Sequence, residues 1–178
     1  MSGLAHHYET SALVQAPMDE VFTYVDDPTR LGSRMSKSSW MMGGSRMQIE
    51  LDDDRGQRVG SRIRMRGRIF GLRLSLEEVV TEYNFPHRKV WETTGAPKLL
   101  VIGHYRMGFE IGSRDIGSLL RVYIDYSVPH GVLTRWLGYL LGPVYARWCT
   151  QQMAKDTVKH FALSEQSVSS ASPQRRVR

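Results

Sequence analysis

Two carboxylates and two phenols are the side chains of this chain best suited to move a proton. Glu78 and Glu82 lie in the segment LRLSLEEVVTEY, where strict alternation gives both the parity of Leu72, Leu74 and Leu76. On that parity a carboxylate enters an apolar interior, and lost hydration lifts its pKa toward the range a general acid needs. A β-bulge near Glu77–Glu78 turns both back to solvent, and that is the arrangement expected here. Tyr105 and Tyr126 also fall on apolar parities, so each phenol needs a buried partner or a ligand oxygen. No other constellation reaches that standard. The six histidines, His6, His7, His87, His104, His130 and His160, include no pair at ligand spacing with a third ligand nearby, so neither a metal nor a cofactor is expected. There is no Gly-x-Ser-x-Gly nucleophile motif and no glycine-rich phosphate loop. The single cysteine, Cys149, reads as a packing residue of a helix.

Positioning these groups falls to a run of strands between short helices and one long helix. Residues 8–15 read as a first strand, and Ala16-Pro17 opens a short helix with Asp19 and Glu20 at its positive end. Its apolar face is Val21, Phe22, Tyr24 and Val25, and Asp26-Asp27-Pro28 ends it. A second short helix is expected to open at residues 28–31. Residues 35–47 show no period; Trp40, Met41 and Met42 there serve either as an adaptable flap or as core filling. A short strand at 48–51 precedes residues 59–70, where Arg62, Arg64, Arg66 and Arg68 alternate with Ile63, Met65 and Ile69. The arginine row is expected to be a solvated face paired with Glu77 and neighbouring carboxylates, an anion-binding patch being the sharper alternative. Further strands are predicted over 72–83, around 90–92, over 99–111 and over 119–128.

Residues 129–161 carry helical character. Val132, Leu133, Trp136, Leu137, Leu140, Leu141, Val144, Tyr145 and Trp148 recur at helical spacing. Pro143 predicts a kink or a fresh start at Gly142–Pro143, and hence two helical pieces.

A chain of 178 residues with 41% hydrophobic and 24% charged residues suits one globular domain. The expected layout is a flexible N-terminus over 1–7, a domain over 8–163 and a disordered basic tail over 164–178. The net charge of +6 includes Arg175, Arg176 and Arg178 of that tail, so nucleic acid is not the expected partner; peripheral contact with an anionic membrane is the alternative use of that charge. No signal peptide and no membrane span are read, and a cytoplasmic location is the expectation.

An opening strand, Ala16-Pro17-x-x-x-Val21-Phe22, Asp27-Pro28-x-Arg30, a strand meander and Pro129-x-Gly131 before a long helix together resemble the SRPBCC superfamily. That group includes Bet v 1-like and START-type proteins, polyketide cyclase/dehydrase proteins and coenzyme Q-binding Coq10-like proteins. The resemblance spans residues 8–163. It implies an α+β helix-grip fold: a curved antiparallel sheet wrapped around a long C-terminal helix, with two short helices after the first strand and an apolar cavity between. From parity, the cavity would be lined by Met65, Leu74, Trp91, Tyr105, Met107, Phe109, Ile124 and Tyr126 of the sheet. From the helix it would take Trp136, Leu140, Trp148 and Met153.

The expected function is binding of a hydrophobic small molecule, a lipid, quinone or polyketide-like compound, without catalysis. The alternative is a cyclase or dehydratase with Tyr105, Tyr126 or Glu78 as acid/base. A third reading, a membrane-surface or protein-interaction module, needs the arginine row exposed and unpaired.

Overall fold

Alternating apolar and polar residues make strands whenever one face can be covered, and here the described residues supply seven of them and a long helix to cover them. The computed structural model describes residues 3–27, 48–69, 72–129 and 131–170. In chain order its elements are β1 (His6–Val14), α1 (Met18–Val25), β2 (Gln48–Leu51), β3 (Arg62–Ile69), β4 (Leu72–Asn84), β5 (Arg88–Lys98), β6 (Tyr105–Arg114), β7 (Gly117–Tyr126) and α2 (Val132–Ser170). The strands form one antiparallel sheet in the order β1-β7-β6-β5-β4-β3-β2. Only the β1–β7 pairing brings together strands that are not consecutive in the chain, and it returns β1 beside the strand that leads into α2.

The interior face follows the parities of the sequence. Met107, Phe109 and Ile111 of β6 and Leu120, Val122, Ile124 and Tyr126 of β7 are buried. Long helix α2 lies against β1 and β7, and α1 lies against β6, β7 and α2. Phe22 of α1 is fully buried, its ring edge-on to Tyr83 and Phe109 at 5.5 and 5.1 Å. The opposite face is a lattice of ion pairs: Arg62 and Arg64 both bind Glu77, Arg66 pairs with Glu50, and Arg121 pairs with Glu9 and Glu110. The arginines of β3 whose side chains are described, Arg62, Arg64 and Arg66, are thus exposed but paired, which removes the condition set for an arginine-row docking surface.

Three expectations change. Pro143 lies inside α2, which continues as one helix rather than two pieces. Proline removes the hydrogen bond to the carbonyl four residues back, at Tyr139; both residues are exposed, so water can take the freed carbonyl. The strand predicted over 99–111 begins only at Tyr105, because residues 99–104 leave the sheet and the Gly103 N–H bonds the Ser127 carbonyl at 2.8 Å. The helix also runs on to Ser170, into the stretch expected as tail. The second short helix at 28–31, the loop at 35–47 and the terminal arginines lie outside the described residues.

Candidate ligand-binding site

β4 decides where the acid sits. Its pairing with β3 is unbroken from Arg62↔Val79 to Ile69↔Leu72, so Leu74, Leu76, Glu78 and Val80 stay on the concave side. Its pairing with β5 shifts twice: between Ser75 and Glu77, where the extra residues lie on β5, and between Val80 and Glu82, where Thr81 of β4 is the extra residue of a bulge. The extra residue on β4 itself therefore falls three residues beyond Glu78, and the irregularity beside Glu77 is taken up by β5. Glu78 remains inside, 3% exposed, while Glu82 is turned outward to pair with Arg88 at 3.1 Å and Tyr83 takes the interior parity. The expected return of both glutamates to solvent thus holds for Glu82 alone.

Inside, the Tyr105 hydroxyl of β6 donates to the Glu78 carboxylate in a short contact, and Trp91 of the intervening strand adds a second side-chain hydrogen bond. Burial lifts Glu78 from its usual 4.5 to about 7, against the opposing pull of those hydrogen bonds and of the Lys89 charge. Burial, the Glu78 charge and their hydrogen bond together hold the Tyr105 phenol well above its usual range. The pair behaves as one protonatable unit whose acid is the side that titrates near neutrality.

From α2, Tyr145 and Cys149 face the same space one helical turn apart and share a side-chain hydrogen bond. Burial pushes the Cys149 thiol up to about 12, so it is a thiol at neutral pH and no nucleophile. Tyr105, Tyr145 and Cys149 are half-buried. Met65 and Leu76, on the concave side of β3 and β4, are likewise only half-buried.

A second buried polar group adjoins the first. Lys89 of β5 is ion-paired to Asp26 at the end of α1, both buried, and the Tyr83 hydroxyl donates to Asp26 at 2.8 Å. The Lys89 ammonium lies 5.7 Å from the Tyr83 ring and 5.9 Å from that of Trp91. Sequence reasoning missed this cluster, although Lys89 shares the parity of Trp91.

Of the sheet residues singled out from sequence, Leu74, Trp91, Met107, Phe109, Ile124 and Tyr126 are buried, and Tyr105 is half-buried. Tyr126 stands opposite Tyr105 in the β6–β7 register, and its ring stacks on His6 at 5.1 Å. Met153 is buried, and Trp148 is half-buried against Tyr145 at 6.0 Å. Trp136 and Leu140 do not line the space: they are 76% and 73% exposed. Gly138 and Gly142 take the inner side of that part of α2 instead. The convex side of the sheet has its own hollow of about 480 Å³, around Tyr123 and Arg88, Arg106 and Arg121. All three arginines are ion-paired there, as on a solvated outer face.

A curved antiparallel sheet gripping one long C-terminal helix, with an acid and a phenol set in its apolar interior, defines a helix-grip protein. The chain belongs to the polyketide cyclase/dehydrase and lipid transport family, whose model matches residues 5–161. Among solved structures it is similar to TTHA0849 from Thermus thermophilus, with a TM-score of 0.62 and 13% identity over 90% of this chain and 99% of that one. It is also similar to protein CV1439 from Chromobacterium violaceum, with a TM-score of 0.60 and 14% identity over 88% and 97% of the two chains. Ara h 8.0201 gives a TM-score of 0.56 and 11% identity over 86% and 98%. No curated protein matches in sequence.

Proposed function

We propose that this protein binds a hydrophobic small molecule in the recess between the concave side of β3–β6 and the middle of α2. The observation that carries the reading is the Glu78–Tyr105 pair, a polar anchor among Met65, Leu76, Trp91 and Met107. Apolar burial contributes roughly 25 cal/mol per Å², and one or two polar groups orient the ligand. A lipid, quinone or polyketide-like compound with a terminal oxygen suits such a site. Native mass spectrometry of freshly purified protein, followed by organic extraction, tests it. A discrete lipophile is expected, or failing that saturable binding of a fluorescent fatty acid that Leu76→Trp abolishes by filling the recess. Binding of that probe unchanged by Leu76→Trp would remove the ligand from this place.

One observation favours a second reading. A carboxyl lifted to about 7 is half protonated near neutrality and both gives and takes protons. Dehydration of a β-hydroxy carbonyl needs both: the α-proton passes to the carboxylate, and the departing hydroxyl leaves as water with a proton. Glu78→Gln and Tyr105→Phe separate the readings, since a carrier keeps most of its affinity and a dehydratase loses turnover.

A further inference from the structure

Exposed apolar surface on α2 is concentrated in its first half. Over residues 135–147 the inner line is Gly138, Gly142 and Ala146, all buried. A Cβ on Gly138 would stand 2.7 Å from the Pro129 ring and 3.2 Å from the Val101 carbonyl, so the backbone itself lies on the protein. The large side chains are thereby left on the outside. Trp136, Leu140 and Val144 form one exposed line, with Leu137 and Leu141 beside it and Tyr139 on the other flank. This is a contiguous patch and not the scattered exposure common on monomers.

The charges around it have one sign. From Tyr126 to Lys155 the chain carries no Asp or Glu, only His130, Arg135, Arg147 and Lys155 as ionisable groups besides its tyrosines and Cys149. Neither Arg135 nor Arg147 has an ion-pair partner among the described residues, unlike the outer-face arginines of the sheet. Arg147 continues the Trp136–Leu140–Val144 line at its C-terminal end, and the Arg135 guanidinium lies 5.9 Å from the Tyr139 ring. An apolar helix face holding a tryptophan and a tyrosine, flanked by unpaired arginines, is chemically matched to a lipid headgroup boundary. No helix among the described residues is long and apolar enough to cross a membrane, so the fit is to lying on one.

We propose that the first half of α2 docks on an anionic membrane surface, with Trp136, Leu140 and Val144 at the acyl boundary and Arg135 and Arg147 among the headgroup phosphates. The docking does not rest on the ligand reading. It does place the membrane one helical turn from Tyr145 and Cys149 of the recess.

Co-sedimentation with vesicles tests it, using phosphatidylcholine alone and an equal mixture with phosphatidylglycerol. The wild-type chain should bind the anionic vesicles, with a blue shift of tryptophan emission. Trp136→Ser with Leu140→Ser, both at exposed positions, should cut that binding at least about tenfold while leaving the melting temperature close to wild type. Arg135→Gln and Arg147→Gln should each cost about fivefold on anionic vesicles and leave any binding to phosphatidylcholine unchanged. Wild-type protein that stays in the supernatant would overturn the proposal, as would a Trp136→Ser, Leu140→Ser chain that binds equally well. So would a dimer, by light scattering, that these two substitutions split while vesicle binding is absent, because the patch would then belong to a second copy.

Discussion

Tyr105 and Glu78 are hydrogen-bonded across an intervening strand, one on β6 and the other on β4, with Thr93 of β5, the register partner of Glu78, between them. Strands two apart lie about 10 Å from each other, and the two long side chains close that gap over the interior face of the middle strand. Sheet pairing thus makes a chemical unit from groups that are 27 residues apart in sequence.

The acid of that unit should leave a signature in stability. Its folded-state pKa of about 7 exceeds the usual 4.5, so between those values the folded chain holds a proton the unfolded chain has released. Stability should therefore fall as pH rises through that window, and level off above it. Glu78→Gln removes this dependence. Its melting temperature relative to wild type should climb across the window and be higher at about pH 8. A difference that stays flat with pH would mean the carboxyl is already ionised in the fold.

The Asp26–Lys89 pair is buried at both ends, so losing one partner strands the other. Lys89→Met should cost ~3–5 kcal/mol in urea unfolding. Adding Asp26→Asn to that variant should recover much of the loss. Tyr83→Phe, which deletes only one hydrogen bond to Asp26, should cost about 1 kcal/mol. Equal losses in the single and double variants at Lys89 and Asp26 would show that packing, not charge, holds α1 to β5.

Glycine in the first half of α2 separates close packing from helix propensity. Propensity alone makes Gly→Ala in a helix favourable by about 1 kcal/mol. At Gly138 the new methyl would meet the Pro129 ring at 2.7 Å, and a net loss in thermal stability is expected. At Gly142 the nearest atoms are a Tyr126 ring carbon at 3.2 Å and the Val101 carbonyl at 3.3 Å, so the two effects should nearly cancel. A gain at both positions would mean the helix stands further from β7 and the 99–104 loop than described.

Tyr105 tests the proposed ligand reading. Tyr105→Phe frees the Glu78 carboxyl from one hydrogen bond that lowers its pKa, so the acid should titrate still higher. Fluorescent fatty acid affinity should change by less than about threefold, because apolar burial supplies most of it. Titration of Glu78 by carbon-detected NMR reads the shift directly. An unchanged midpoint would leave the phenol no electrostatic hold on the acid.

Strand faces were legible from the chain because side-chain direction in a strand repeats every two residues and depends on nothing distant. Tyr105, Met107, Phe109 and Ile111, and likewise Leu120, Val122, Ile124 and Tyr126, share faces on that account. The loose motif around Ala16-Pro17 and the long helix after Pro129 were legible for the same local reasons. Glu78 was not. Whether it points inward depends on whether the bulge falls at Glu78 or at Thr81, which only the pairing with β5 decides. Lys89 escaped notice because its partner, Asp26, comes from another element. The helix was misread differently: its apolar stripe covers more of the circumference than the sheet can bury. Close approach through Gly138 and Gly142 then decided which side faced inward, leaving Trp136 and Leu140 outside. Spacing along one chain determines faces; which face meets which is determined only when two elements pack.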